Sequence, residues 1–179
     1  MTRKKIMSIA AMITGLFVFI LYATIKTKSR SMDGYEPFKK WVGKTVVLQR
    51  ETVLFEENNP RKGYPYFLTD SLHPEWQYAQ DRKNLPEPEL VEIVTFPAGT
   101  KLKIEKALQF TNGVSGSSYP TVFGIIHKEG KAYKINYQWG TMDIAKFFDH
   151  IEKCWQFHQA PWQDKADTAF YALPQAEWW

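Results

Sequence analysis

Hydrophobic and polar positions divide the chain sharply near its N-terminal end. Residues 6–25, IMSIAAMITGLFVFILYATI, run for 20 residues without a charge, Pro, Asn or Gln, and Ser8, Thr14, Tyr22 and Thr24 are their only polar members. As a helix this stretch spans about 30 Å, the thickness of a hydrocarbon core. Its hydroxyls can bond back to carbonyls of their own helix, so they cost little in lipid. A segment apolar on every side has no polar face to turn toward water, unlike a surface helix. Arg3, Lys4 and Lys5 precede it, and Lys26, Lys28 and Arg30 follow.

The pattern predicts a single transmembrane helix over 6–25, a cytoplasmic stub over 1–5 and a juxtamembrane linker over 26–33. A cleaved signal peptide competes with this reading. Against it, the apolar run is longer than the roughly 7–15 residues of a signal h-region. Tyr22-Ala23-Thr24-Ile25 also runs straight into basic residues, with no small-x-small cleavage signal. Three basic residues on each side nearly cancel in the positive-inside comparison. The N-terminal amine and the short head favour a stub inside and a domain outside.

Beyond the anchor, residues 34–179 read as one domain of ordinary size. Phe38, Trp41 and Val42 share a face of a short helix that Gly43 can stop. Lys44–Phe55 is rich in β-branched residues and predicts a strand, with a bulge near Arg50 and Glu51. Residues 56–88 carry Pro60, Pro65, Pro74, Pro86 and Pro88 and predict a long, aromatic-rich loop. Strands follow over 89–96 and 101–108, joined by the turn Pro97-Ala98-Gly99-Thr100, with Leu102, Ile104 and Ala107 turned inward. After a glycine-rich loop at 111–118, residues 119–127 and 131–139 form a hairpin about Glu129-Gly130. Ile144, Phe147, Phe148, Ile151 and Trp155 make a helical stripe over 141–155, capped by Thr141 or Asp143. A Trp- and Pro-marked tail closes the chain at 160–179.

These elements predict a mainly β (α+β) fold: a small, partly open antiparallel β-barrel with a flanking C-terminal helix. The turn pattern from Val91 to Trp139 resembles that of a bacterial SH3-type barrel, and the resemblance implies the same compact curl of about five strands.

Charge alters the picture only once it is divided along the chain. The whole chain carries +4, but the first 30 residues hold six basic residues and no acidic one. Residues 31–179 hold 17 basic and 19 acidic residues, a net −2. The basicity therefore belongs to the flanks of the apolar helix, where it attracts anionic headgroups. The domain offers no phosphate-tracking field, which excludes nucleic acid as a partner. A single cysteine, Cys154, rules out an intrachain disulfide. With no N-x-Ser/Thr sequon, the chain reads as a bacterial envelope protein in the inner membrane, its domain facing the periplasm.

Motifs for chemistry are weak. His150, Cys154 and His158 stand at i, i+4 and i+8, but three groups along one helix spread over about 12 Å, too far to hold one ion. Gly113-Val114-Ser115-Gly116-Ser117 has Ser where a nucleophile elbow needs Gly and lacks the strand-to-helix setting. Glu87 with Glu89, or Asp143 with Asp149, have no spacing that selects them from 19 acidic residues. No phosphate-binding glycine loop is present. The sequence thus predicts no catalytic residue, no metal site and no cofactor.

Aromatic residues are the remaining signal. All seven Trp lie beyond the anchor. Tyr64, Tyr66, Trp76 and Tyr78 in the long loop, with Trp162, Trp178 and Trp179 in the tail, are candidate partner-binding residues, because Trp and Tyr concentrate in interface hot spots. The expected function is that of a membrane-anchored, non-catalytic binding protein with a protein partner, as an inhibitor or immunity protein or as an accessory subunit of an envelope assembly. A module that binds cell-wall glycan is the alternative, and an enzyme of unrecognised type is the third class.

Overall fold

The computed structural model describes residues 3–61 and 63–176. Helix α1, Arg3–Ile25, contains the predicted span and is long and apolar enough to cross a membrane. Among its described residues Ala23 alone is buried. Thr24 Oγ1 donates back to the carbonyls of Ile20 and Leu21, both at 2.8 Å.

Only Lys26 and Thr27 separate α1 from β1 (Lys28–Ser31), which pairs with β6. Half of segment 26–33 is therefore a sheet edge rather than a tether. A 3-10 turn at Phe38–Lys40 buries Phe38, with Trp41 and Val42 half-buried beside it.

The remaining strands of the main sheet are β2 (Thr45–Val47), β3 (Thr52–Arg61), β4 (Tyr64–Thr69), β5 (Leu90–Phe96), β6 (Lys101–Thr111), β7 (Ser118–Lys128) and β8 (Lys131–Gln138). They form one eight-stranded sheet in the order β1-β6-β7-β8-β4-β3-β5, with β2 also on β6. All pairings are antiparallel except β4 with β8, where Tyr66 faces Ile135 and Phe67 faces Asn136.

The sheet does not close into a barrel among the described residues. Its last strand, β5, leads into β6 through the predicted turn at 97–100, yet the two are not paired. The edge of β6 that would complete closure is occupied by β2, through Val46 opposite Leu102, and by β1.

Two predicted elements are corrected. Residues 56–88 are not one loop. They hold most of β3, all of β4 and helix α2 (Trp76–Lys83). The prolines suggested a break, but Pro60 falls where the β3–β4 register shifts between Glu56 and Arg61, so its missing N–H costs no ladder bond there.

The predicted helix over 141–155 also shrinks, to α3 (Ile144–Phe148). Asp143 caps it, its carboxylate accepting from the Lys146 N–H at 3.1 Å. The chain then reverses at His150, in a left-handed conformation with φ of 57°. Thr141–Met142 (β9) pairs with Trp155–Gln156 (β10), and the N–H and carbonyl of Trp155 bond to Tyr171 at 3.0 and 2.8 Å. Those long-range partners hold the backbone that a longer helix would need. Trp155 is buried as a result, while Ile144, Phe147, Phe148 and Ile151 are left exposed.

The main core gathers Leu54, Leu68, Leu102, Ile104, Ala107 and Ile135, and extends through Phe38, Trp139, Phe157 and Trp162. Ala107 points inward despite its odd spacing from Ile104 because the β6–β7 register shifts between Ile104 and Lys106. A smaller cluster on the other face, Val53, Phe55, Phe67 and Leu90, is covered by Ala79 and Trp76 of α2.

Candidate functional site

Two features stand apart from ordinary packing: a buried polar network and an apolar cleft beside α3. The network begins where β4 ends. Asp70 accepts from Arg50 Nε at 2.8 Å and from the Leu72 N–H at 2.9 Å on one oxygen, and from the Tyr137 hydroxyl at 3.2 Å on the other. The Tyr137 oxygen lies 3.0 Å from His158 Nε2. Because the phenol gives its single hydrogen to Asp70, the imidazole must donate here, so His158 carries its proton on Nε2. His73 is fixed as the same tautomer: its Nδ1 accepts from the Glu75 N–H at 3.1 Å, and Nε2 donates to the Gln138 carbonyl at 2.9 Å.

Burial governs the titration of this group. It pushes His158 down to about 3, reinforced by His73 and Arg50 nearby. It lowers His73 as well, against the opposing pull of the Gln138 carbonyl and Asp70. It raises the Tyr137 phenol well above its ordinary range, with Asp70 adding to the effect. Both imidazoles are therefore neutral at pH 7.

The bonds run between the sheet and the C-terminal segment. Arg50 also donates to the Gln159 carbonyl at 2.5 Å, and Trp139 Nε1 donates to the His158 carbonyl at 2.8 Å. Chemically, the network is a polar clamp that fastens residues 158–163 over the end of β8. Neither surface cavity described next is lined by Asp70, His73, Tyr137 or His158.

Those cavities flank α3. One, of about 450 Å³, lies between α3 and the segment 172–175, lined by Tyr35, Phe147, Ile151, Cys154, Trp155 and Leu173 among others. The second, of about 590 Å³, lies between α3 and the loop 115–119, with Ile144, Phe147 and Phe148 on its wall. Burial raises the Cys154 thiol, which makes it a poor nucleophile at the base of the first cavity. Among the described residues no group of three or more His, Cys, Asp or Glu side chains is placed to hold a metal ion. His158 faces Tyr137, and α3 ends before His150, so the two histidines and Cys154 share no helix.

The candidate partner-binding aromatics are dispersed. Tyr64, half-buried on β4, donates to Glu105 at 2.8 Å, and the Lys106 ammonium sits 4.9 Å over its ring. Burial, with Glu105 beside it, pushes that phenol up to about 12. Tyr66 packs edge-on against Tyr133 in the main core. Trp76 packs on the smaller cluster, on the opposite face of the sheet. Tyr78 is exposed on α2 under the Arg82 guanidinium, 4.9 Å away. Trp162 is buried against Tyr137 and Trp139. Trp178 and Trp179 lie outside the described residues.

The uncovered apolar side chains of α3, and Val114 in the loop before it, were not singled out by sequence as a surface. Their helical stripe reads as a core face, and only the shortness of α3 turns it outward. Compared with known proteins, the chain matches no family profile, no curated protein and no solved structure.

Proposed function

We propose that this chain is a membrane-anchored, non-catalytic binding protein of the bacterial envelope that recognises a protein partner, as an inhibitor or immunity protein or as an accessory subunit of an envelope assembly. The observation that carries this reading is the cavity of about 450 Å³ between α3 and segment 172–175, whose mouth bears uncovered Ile151 and Tyr35. An apolar cleft of that size takes one or two large side chains of a partner, the usual form of an interface hot spot. In this reading α1 stays uncleaved in the inner membrane and holds the domain on the periplasmic side. The SH3-type likeness belongs to the same proposal and draws only on the tight turn at 97–100 that joins β5 to β6.

A photo-crosslinking residue at Ile151 of the full-length chain, expressed in spheroplast-forming bacteria, should yield one defined adduct. That adduct should vanish when Leu173 is changed to Arg. Absence of any adduct at position 151 would sink the partner reading. The glycan-binding alternative draws on the exposed ring of Tyr78. Retention on purified peptidoglycan that is lost with Tyr78→Ala would replace the protein partner by glycan.

A further inference from the structure

The end of α1 is not simply a free stalk beneath the domain. Gly113 lies so close to it that a Cβ on this residue would collide with the backbone carbonyls of Thr24 and Ile25. The loop is held firmly in that place. Thr111 pairs with Lys28, the Asn112 N–H bonds to the Ser117 carbonyl at 2.9 Å, and Asn112 Oδ1 accepts from the N–H groups of Val114 and Ser115 at 2.8 and 3.0 Å. Val114 therefore stands beside the last turn of the apolar helix, and it is 75% exposed. That turn is the level at which the hydrocarbon of a bilayer gives way to headgroups.

Helix α3 flanks the same loop. Ile144 and Phe148 line one cavity with Ser115, Ser117 and Ser118, so their side of the helix looks toward the loop. They are 55% and 72% exposed. Contiguous apolar side chains left uncovered on a water-facing domain mark a contact surface, and an apolar helical face beside a loop that touches the end of α1 suits the bilayer boundary. Exposed Lys26, at the end of α1, adds positive charge where anionic headgroups lie.

Resting on the reading of α1 as a membrane anchor, we infer that Val114 and the Ile144/Phe148 side of α3 form a second membrane contact, seating the domain on the lipid surface beside its own anchor. A single helix followed by two linking residues sets the distance of the domain from the bilayer but leaves its tilt free. A second contact point fixes the tilt, and with it the direction in which the cavity at Ile151 and Leu173 opens.

Strand β6 supplies the ruler for a test. Thr111 is at its anchor end. Val47, exposed and paired with Lys101, is at the other, roughly 30 Å away at the rise of a strand. Full-length Val114→Cys, Phe148→Cys and Val47→Cys variants carry a nitrobenzoxadiazole label and are reconstituted in phosphatidylcholine vesicles with or without brominated acyl chains. The wild-type chain, whose one thiol is buried, is the labelling control.

Labels at 114 and 148 should shift to the blue and lose emission to brominated lipid, while the label at 47 stays in water. If the chain floats with the vesicles but labels at 114 and 148 behave like that at 47, the second contact is wrong and the anchor stands. A chain that fails to float overturns the anchor, and this contact with it. Quenching that follows protein density rather than bromine points to a second copy on α3, and equally overturns the lipid contact.

Discussion

Two aromatic regions of this protein are built from the same residue types and end in opposite surroundings. Around Trp139, the rings of Phe38, Phe157 and Trp162 meet edge-on at 5.0–5.4 Å, and the indole N–H is satisfied by the His158 carbonyl. A few residues on, Phe147 and Phe148 of α3 pack on each other, Phe147 only partly covered and Phe148 72% exposed. Hydrophobicity does not separate the two. What does is whether the backbone gives the rings an opposing layer. Residues 155–163 return across the end of β8 and cover it, whereas α3 is too short to lay its stripe on anything. The first region holds the domain together, and the second is available for contact.

The sharpest way to break this contrast is to truncate each region in turn. Trp139→Ala should cost about 4 kcal/mol, because a fully buried ring leaves a cavity that its neighbours cannot fill. Urea unfolding of the full chain in mild detergent would show it as a lowered midpoint. Asp70→Ala should cost about 3 kcal/mol, by stranding the Arg50 guanidinium and the Tyr137 hydroxyl together. A loss under about 1 kcal/mol would mean that water already reaches the network.

Acid should probe the clamp more gently. The folded state holds His158 near 3 against an ordinary value of 6.5, so between those values the unfolded chain binds the extra proton. Stability is therefore complete above about pH 6.5 and falls as pH drops toward 3, by at most about 1.4 kcal/mol per pH unit for this one group. His73, also lowered, adds to the same slope. His158→Gln should flatten the profile, and an unchanged slope would assign it to other groups. The smallest effect belongs to α3: Phe148→Ser should change the unfolding free energy by less than about 0.5 kcal/mol, since the ring is mostly exposed and packs on Phe147. A large loss there would show that α3 is part of the fold after all.

Local signals located the hairpin at Glu129-Gly130, the turn at 97–100 and the inward set Leu102, Ile104 and Ala107. In each case the information lies in neighbouring residues: positive φ at Glu129 and Gly130, or alternation along one strand for Leu102 and Ile104, which a register shift then extends to Ala107. The polar clamp was not legible. Arg50, Asp70, His73, Tyr137 and His158 are scattered over more than 100 residues and carry no spacing that marks them. Trp162 illustrates the same limit. Its neighbours leave open a tail docked on the domain or free for a partner, and the ring is in the core because Arg50 and Trp139 hold residues 158–159 against β8.

By itself, the sequence determined a long apolar helix at the N-terminal end, a charge imbalance confined to its flanks, and a domain made mostly of strands. All three rest on local composition and period, which act wherever the chain happens to lie. Only the tertiary structure decided that β4 joins β8 in parallel, that Trp155 is a strand residue rather than a helix residue, and that a glycine at 113 lets the domain touch the end of its own apolar helix. Those outcomes depend on pairings between distant segments, in which a backbone group far along the chain outcompetes the local helical or loop preference.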